Sequence, residues 1–444
     1  MSLCIIELND IAVTASLAEL EPVVSPGYTL VQGAKLVVGD DAKSQARLHP
    51  QQLNNRFWQR LSMDPISHSG DTVRHHADLA YAHLMHLHEL AGQPDEVIFA
   101  VPGNFSQEQL SVLLGIAGHC PFKAVGLVDS AVAAASGVEL EGEVVHIDLQ
   151  LHQAVLTRLS VTTEITREEV QTVAGAGLLS LYDRWAHIIA DAFIEQCRFD
   201  PLHSAPTEQY VYDHIPHYLA ASDLLIDLEV PQGAGIHRAR LERELLLQAG
   251  AKTWQQVFGR AEAMNSGSKH CLLGSQWAAV PGIESFSADK LLLPKNATAT
   301  ACFEQADLIR SKDDAVNFVT SLPKLKNAPA ADIRAKVVAT PQPIPPTHVL
   351  IASTAYALTT PCFLQGGNRE VRYHQQPQSD SQCTIGMHDD LPQLQILGDA
   401  SIWLNDRTLS AGDPVPELAA GDALRMAAGG EPVQLIRVNP NVQA

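Results

Sequence analysis

The chain has 444 residues, which is too long for one ordinary core and predicts two to four domains. Hydrophobic residues make up 46% of the chain, which excludes wholesale disorder. The formal charge of −20 would repel phosphate backbones and anionic lipids, so neither a nucleic-acid partner nor a membrane partner is expected.

Seven cysteines are scattered along the chain and no two have CxxC spacing. This pattern is typical of free thiols in a reducing compartment and does not favour a disulfide framework or a zinc ribbon. The N-terminal sequence lacks the basic start of a signal peptide, and no stretch of about 18 uncharged apolar residues occurs. We therefore expect a cytoplasmic protein.

Strand and helix patterns alternate through the first 140 residues. Apolar positions recur at three- and four-residue intervals in the helices, whereas the strands are short apolar runs that end at turn residues. The predicted strands are 3–17 with a turn at Asn9-Asp10, 96–101 and 125–128, and the predicted helices are 40–61, 72–91, 106–118 and 130–136. This alternation predicts an α/β architecture.

The same alternation continues to about residue 322. The predicted strands are 144–149, 154–159, 224–230 and 271–273, and the predicted helices are 178–197 and 238–248. The stretch 201–221 is rich in His, Tyr and Pro and has no clear pattern. Residues 323–346 are rich in Pro, Ala and Lys and are predicted to be a linker, and the short apolar runs of 347–444 predict a separate all-β domain.

Five segments of the α/β region form an ordered series of motifs. Residues 39–46 read GDDAKSQA, and residues 101–105 read VPGNF ahead of a helix and an alanine-rich segment. The strand pair 144–159, the strand–turn–helix pattern of 224–248 and the segment 271–285 then follow. In this order they resemble the ATPase domain of DnaK-type heat-shock chaperones. The resemblance implies a two-lobed, actin-like (ribonuclease-H-like) ATPase fold, with lobe I at 1–140 and lobe II at 141–322.

The resemblance implies a nucleotide site between two hairpins, where glycine-rich turns hold phosphates and aspartates hold Mg²⁺. In the first hairpin, where the family reads Asp-Leu-Gly-Thr-Thr, this chain has Glu7, Asn9 and Asp10 at the first, third and fourth positions. The second hairpin keeps Asp148, but Gln150 and the two residues after it replace three glycines. The implied catalytic and Mg²⁺-binding carboxylates are therefore Glu7 and Asp148.

Other positions that the resemblance implies are also changed. Gln59 replaces a lysine, which removes a charge that a phosphoryl-transfer transition state uses. Asp129 stands in place of a longer acidic residue before the first connecting helix and is the third implied catalytic carboxylate, with Glu7 and Asp148. The remaining implied cofactor contacts are Gly175, Gly177, Gly274 and Ser275.

The scaffold pattern is thus kept while most phosphate-contacting residues differ. We hypothesise a non-catalytic pseudo-ATPase that acts as a scaffold and binds a protein partner, with ATP or ADP and Mg²⁺ bound weakly or not at all. The alternative is a divergent Mg-ATP-dependent ATPase with chaperone-like activity. A third interpretation of Glu7 and Asp148 is structural, since acids at strand ends often bind turn amides.

The C-terminal region contains a second resemblance. Residues 400–426 are similar to the second half of a forkhead-associated domain, a β-sandwich that binds phosphopeptides. Asn405 falls on the asparagine that helps to hold the peptide in that family. The upstream Gly-Arg and Ser-x-x-His that would hold the phosphate are missing, so we expect a β-sandwich that is structural or that binds a protein partner.

The predicted helix 72–91 carries five histidines. His83 and His86 lie three residues apart, so a shared metal is geometrically allowed. No third ligand is suitably placed, and a solvated helix face is the expected role of these histidines.

Overall fold

The computed structural model describes residues 2–438 except positions 19, 34, 67–72, 234, 265–269, 284–288, 312–314, 326–345, 353, 367–370, 389–390, 399, 406, 412–417, 419–420, 428–429, 431 and 437. The chain divides into two compact units, Met1–Val338 and Ala339–Ala444. Most of the predicted linker 323–346 lies outside the described residues. Among the described helices, none is long and apolar enough to cross a membrane.

The first unit is mixed α/β. Its strands are β1 (Leu3–Glu7), β2 (Val13–Leu17), β3 (Val23–Ser25), β4 (Thr29–Gln32), β5 (Lys35–Val38), β6 (Leu53–Asn54), β7 (Glu96–Val101), β8 (Lys123–Asp129), β9 (Gly142–Leu149), β10 (Gln153–Val161), β11 (Glu164–Ala174), β12 (Leu225–Gln232), β13 (Gly235–Glu242), β14 (His270–Leu273), β15 (Asp289–Leu292), β16 (Phe318–Val319) and β17 (Ser321–Pro323).

Ten α-helices and one 3₁₀ helix are described in this unit. The helices are α1 (Asp40–Lys43), α2 (His76–Leu90), α3 (Gln107–Ala117), α4 (Ser130–Ser136), α5 (Leu178–Cys197), α6 (Ala205–Ala220), α7 (Arg243–Ala249), α8 (Ala251–Met264), α9 (Ala297–Glu304) and α10 (Ala306–Ile309), and the 3₁₀ helix is Ser275–Ala279. The strand and helix elements alternate along the chain, as the sequence predicts.

Two six-stranded sheets of the first unit share one topology in five of their six strands, and the sixth strands, β16 and β17, lie at opposite edges. Sheet I has the order β3-β2-β1-β7-β8-β16, and sheet II has the order β17-β11-β10-β9-β14-β15. In sheet I, β1, β2 and β3 are consecutive antiparallel strands, and β1 also pairs in parallel with β7. In sheet II, β9, β10 and β11 are consecutive antiparallel strands, and β9 also pairs in parallel with β14. The β1–β2 turn and the β9–β10 turn therefore hold equivalent positions in the two sheets.

A shared hydrophobic core joins the two sheets. The helices α4 and α9 pack against each other and against residues of both sheets, including Ile5 and Ile98 of sheet I and Val144 and Leu159 of sheet II. All seven residues of α4 are buried. Its small alanine side chains leave room for neighbouring elements to pack closely against the helix. The turns at the ends of β1 and β9 are consequently held on one common framework.

Two predicted helices differ from the structure. The predicted helix 40–61 is helical only at Asp40–Lys43, and turns and the short strand β6 follow it. The predicted helix 238–248 begins later, because Gly235–Glu242 pairs with β12 and only then does α7 begin. Ile226, Leu228 and Val230 of β12 alternate with exposed residues, as do Ala239 and Leu241 of β13. Packing of this one face therefore favours a strand where single-residue propensity favours a helix.

The stretch 201–221, which had no clear pattern, contains α6. Proline lies in the first turn of this helix, where no backbone hydrogen bond is lost, and Pro216 lies inside it. Ser106 is the N-cap of α3 and accepts a hydrogen bond from Gln109 N at 3.2 Å, as the sequence predicts.

The histidine-rich helix α2 is not solvated along its whole histidine face. His83 is fully buried, its Nδ1 accepts a hydrogen bond from Trp58 Nε1 at 3.0 Å, and its Nε2 lies 2.8 Å from Ser25 Oγ. Burial lowers the pKa of His83 to about 3. The expectation of a solvated face is therefore wrong for His83, which is a neutral core residue.

The second unit contains only strands and turns in its described part. Its strands are β18 (His348–Ile351), β19 (Thr354–Ala357), β20 (Cys362–Gly366), β21 (Val371–His374), β22 (Cys383–His388), β23 (Leu391–Ile396), β24 (Ser401–Leu404), β25 (Arg407–Ser410), β26 (Ala423–Arg425) and β27 (Val433–Ile436). One sheet has the order β19-β18-β27-β26-β24-β25 and the other has the order β21-β20-β22-β23. Apolar side chains from both sheets form one buried core.

Helix α5 begins directly against the β9–β10 turn. A Cβ atom on Gly177 would lie inside van der Waals contact of the backbone of Leu151, His152 and Gln153. The absence of a side chain at Gly177 therefore allows the close approach of the two segments.

We predict that Gly177→Ala lowers the free energy of unfolding by about 3 kcal/mol, because backbone atoms cannot move aside as a flexible side chain can. Urea denaturation followed by circular dichroism measures the effect. Gly115→Ala is the control, since Gly115 lies exposed in α3 with open space around it. The control should raise stability by up to about 1 kcal/mol through helix propensity. Equal stability of the two variants would contradict the packing argument.

Candidate functional site

The β1–β2 turn and the β9–β10 turn contact each other directly through side chains. Asn9 Nδ2 donates hydrogen bonds to Asp148 Oδ1 at 2.8 Å and to the carbonyl oxygen of Leu149 at 2.9 Å. Asn9 Oδ1 accepts a hydrogen bond from Ile11 N at 2.9 Å within its own turn. Asn9 is thus fully engaged in closing the first turn and tying it to the second.

Asp10 forms the second bridge between the turns. Its Oδ1 accepts a hydrogen bond from Leu151 N at 2.7 Å, and its backbone carbonyl accepts one from Gly27 N at 2.8 Å. The residue is 5% exposed. The carboxyl group of Asp10 therefore accepts the hydrogen bond that this backbone N–H group of the second turn can donate.

A chain of side-chain amides extends from the second turn. Gln150 Nε2 donates to Asp148 Oδ2 at 3.3 Å, Gln153 Nε2 donates to Gln150 Oε1 at 2.9 Å, and Gln59 Nε2 donates to Gln153 Oε1 at 3.1 Å. Gln150 and Gln153 are buried. These neutral side chains link the second turn to Gln59 along one wall of a cavity of ≈ 370 Å³, which Arg56 and Arg60 also line.

The first backbone N–H groups of α5 are also used within the protein. Leu178 N donates to the carbonyl oxygen of Gln150 at 2.9 Å, and Leu179 N donates to that of Leu151 at 3.0 Å. Gly175 N donates to the carbonyl oxygen of His152 at 3.1 Å, and Gly175 has a φ of 74°, which favours glycine. The first backbone N–H groups of α5 therefore hydrogen-bond to the second turn, whereas at the start of other helices such groups can bind an anion.

Glu7 and Asp148 lie at the ends of β1 and β9 and line one small cavity. The cavity has a volume of ≈ 10 Å³ and is also lined by Gly274 and Ser275. Glu7 Oε1 accepts a hydrogen bond from Thr298 Oγ1 of α9 at 2.9 Å. A Cβ atom on Gly274 would lie 3.1 Å from Asp148 Oδ1, so glycine permits this close approach.

Burial raises the pKa values of all three carboxyl groups at the turns. It raises the pKa of Glu7 to about 7 and that of Asp10 to about 7, although hydrogen bonds from Thr298 and Leu151 oppose the shift. Burial and then the neighbouring Glu7 carboxylate raise the pKa of Asp148 to about 8. Near neutral pH these groups are therefore close to their titration midpoints.

Asp129 has a separate structural setting. Its Oδ1 accepts hydrogen bonds from Ala131 N at 2.9 Å and Val132 N at 3.3 Å, which makes it the N-cap of α4. Its Oδ2 accepts one from Arg167 Nη1 at 2.9 Å. Burial raises the pKa of Asp129, and the Arg167 guanidinium opposes that shift. Each oxygen of Asp129 therefore has a partner in the protein.

The implied site residues are only partly brought together. Six of them lie at or beside the two turns, and Gln59 meets this group through Gln153. The six are Glu7, Asn9, Asp10, Asp148, Gln150 and Gly274. Ser275 lines the small cavity, Gly175 and Gly177 lie behind the second turn, and Asp129 is tied to Arg167.

Sequence reasoning missed two side chains of this region. Thr298 donates a hydrogen bond to Glu7, and Arg167 pairs with Asp129. Thr298 and Arg167 lie far along the chain from their partners and have no local signal.

Arg47 forms a further bridge across the first unit. Its guanidinium lies 3.0 Å from Asp183 Oδ1 and 3.4 Å from Glu208 Oε1, and it stacks at 3.6 Å from the ring centroid of Tyr212. These partners belong to α5 and α6, whereas Arg47 follows α1. The bridge connects the small β4–β5–β6 sheet region to the helices beyond sheet II.

In the second unit, Asn405 is engaged within its own domain. It has a φ of 48°, its Nδ2 donates to Asp422 Oδ1 at 2.6 Å, and its Oδ1 accepts from Ala423 N at 2.9 Å. The side chain thus links the β24–β25 turn to the start of β26.

Within the part of the chain that the structure describes, no three His, Cys, Asp or Glu side chains are grouped so that they could hold a metal ion. Comparisons with protein-family models and with curated proteins find no match to this chain.

We predict that stability falls as pH rises from about 4 to about 8. Because the pKa values of Glu7, Asp10 and Asp148 are raised on folding, the folded state binds more protons than the unfolded state over this range. Asp10→Asn keeps an acceptor for Leu151 N and removes one ionisation. It should stabilise the protein at pH 8 by on the order of 2 kcal/mol and change stability little at about pH 4, where the unfolded carboxyl group is still half protonated.

Thermal melts at a series of pH values measure this effect. Asp191→Asn is the control, because Asp191 is an exposed aspartate on α5. The control should leave the pH dependence of Tm unchanged. An Asp10→Asn variant with the same pH dependence as the parent chain would contradict the assignment of the shift to Asp10.

We predict that Arg167→Met lowers the free energy of unfolding by about 3 kcal/mol, because it leaves the fully buried Asp129 carboxylate without its cation. Arg158→Met is the matched control. Arg158 is 23% exposed against 24% for Arg167, but its partners Glu143 and Glu169 are 38% and 41% exposed. Loss of those pairs should cost under about 1 kcal/mol. Similar costs in urea denaturation would contradict a special role for the Asp129 pair.

Proposed function

We propose that this protein is a degenerate relative of the DnaK-type chaperone ATPases that binds a protein partner as a scaffold and does not hydrolyse ATP. Its first unit would be the two-lobed, actin-like body, and its second unit a β-sandwich like that of forkhead-associated domains. The repeated strand order of sheets I and II, with α4 and α9 packed between them, supports the two-lobed interpretation. The single buried core formed by both sheets of the second unit supports the sandwich.

The observation that carries the proposal is the direct bridging of the two turns. In the family that the sequence resembles, turn N–H groups would bind phosphate oxygens. Here Leu151 N already donates to Asp10 Oδ1, and Asn9 Nδ2 donates to Asp148 and Leu149. As they stand, the residues of the two turns do not fit a phosphate chain.

The electrostatics of the turns point in the same direction. Glu7, Asp10 and Asp148 would repel a phosphate whenever they are ionised, and Gln59 supplies no compensating cation. The cations nearby are Arg56 and Arg60, which line the cavity beside Asp10, and Lys295, which lines the one beside Glu7 and Asp148. The amides of Gln150 and Gln153 are hydrogen-bonded to each other, to Asp148 and to Gln59. Nucleotide binding would have to break this network before it gained any contact.

One observation favours the alternative of a divergent Mg-ATP-dependent ATPase. Glu7 and Asp148 still lie together beside Gly274, which is the arrangement that the resemblance implies for Mg²⁺. For that function the two turns would have to separate. Nucleotide binding therefore distinguishes the two functions.

We predict that millimolar Mg-ATP or Mg-ADP leaves Tm unchanged relative to Mg²⁺ alone. A ligand at a hundred times its Kd adds about 2.7 kcal/mol of stability, which a thermal-shift measurement detects easily. A nucleotide-dependent rise in Tm would overturn the pseudo-ATPase proposal.

The variant Asp148→Ala locates any shift that occurs. Loss of the shift in this variant would place the nucleotide at the two turns and support the ATPase alternative. A retained shift would place the nucleotide elsewhere in the chain. Asp191→Ala, on the exposed face of α5, serves as the matched control.

A further inference from the structure

A large groove opens in the first unit beside the two turns. It has a volume of ≈ 1030 Å³ and is lined by β2, the segment before β3, the end of α6, the 3₁₀ helix and the start of α9. This volume is at the upper end of small-molecule pockets, which run from about 300 to 1,000 Å³. We call it the basic groove, because its lining includes Lys43, Arg243 and Lys295.

Exposed apolar side chains form one edge of the basic groove. Leu20 is 64% exposed and Val24 is 48% exposed, and both line it. Leu219 of α6 and Phe303 of α9 contribute further apolar surface. Large aliphatic side chains that are exposed together and rimmed by polar residues mark an interaction site.

The charge of the groove is opposite to that of the protein. Among the residues that the structure describes, its lining includes Lys43, Arg243 and Lys295 but only one acid, Glu21, whereas the whole chain has a formal charge of −20. Arg243 Nε donates to the carbonyl oxygen of Ala221 at 2.8 Å. Lys43 and Lys295 are exposed and make no ion pair in the part of the chain that the structure describes.

We propose that the basic groove binds an acidic peptide segment of a partner protein, with large apolar side chains that pack beside Leu20 and Val24. The inference rests on the proposed function, since it names where the scaffold binds its partner and what chemistry it recognises. Charge complementarity selects an acidic segment. The apolar edge requires hydrophobic anchors, which a simple anion lacks.

The test selects ligands from a library of random peptides displayed on phage, with the full chain as bait. Peptides that carry net negative charge and at least two large apolar residues should be enriched. No enrichment, or enrichment of neutral or basic peptides, would overturn the proposal. A selected peptide is then synthesised with a fluorescent label, and its Kd is measured by fluorescence anisotropy.

Two variants locate the peptide in the groove. Lys295→Glu reverses a groove charge and Leu20→Ser removes an apolar anchor, and each should weaken binding about tenfold or more. The controls are Lys252→Glu on α8 and Leu308→Ser on α10, where Leu308 is 57% exposed and neither residue lines the groove. Controls should keep the Kd of the parent chain. Equal Kd values for all four variants would place the peptide elsewhere and overturn the proposal.

Addition of Mg-ATP separates this proposal from the proposed function. If Mg-ATP leaves both Tm and the peptide Kd unchanged, the groove and the pseudo-ATPase proposals both stand. If Mg-ATP raises Tm while the peptide still binds in the groove, only the pseudo-ATPase proposal fails. If neither Mg-ATP nor any acidic peptide binds, the groove proposal alone fails.

Discussion

The hydrogen bonds between the two turns are the contacts on which the proposed site depends. Asn9 and Asp10 of the first turn reach Asp148, Leu149 and Leu151 of the second, so each sheet supplies one half of a shared network. The side chains of Asn9 and Asp10 make these contacts possible. Asp10 also uses one backbone donor of the second turn, Leu151 N, and backbone N–H groups of turns are the donors that bind anions in other proteins.

Much of the fold could be predicted from the sequence. The strands and helices around β7, α3, β8, α4 and α5 follow strong local patterns, because buried parallel strands are continuous apolar runs and Ser106 is a good N-cap. The errors lie where pairing partners are distant or packing overrides propensity. Residues 238–242 belong to a strand only because β12 is available to pair with them.

The sequence predicts which residues form the candidate site, but it does not predict the hydrogen bonds between them. The motifs indicate that Glu7, Asp148 and Gln150 lie near one another, because equivalent turns of two similar sheets face each other. They do not indicate that Asp10 binds Leu151 N, since such a contact depends on backbone positions set by packing of α4, α9 and α5. The pairing of Asp129 with Arg167 is likewise a product of the tertiary fold.

The closed turns and the basic groove are two parts of one arrangement. One wall of the groove is β2, which directly follows the first turn, and another is the 3₁₀ helix, which directly follows Gly274 beside Asp148. The Asn9–Asp148 hydrogen bond joins the two turns from which these walls extend. A pre-formed groove binds a peptide with less loss of conformational entropy than one that must first close. Under the proposed function, the network that closes the two turns would therefore also hold the groove in a pre-formed state for a protein partner.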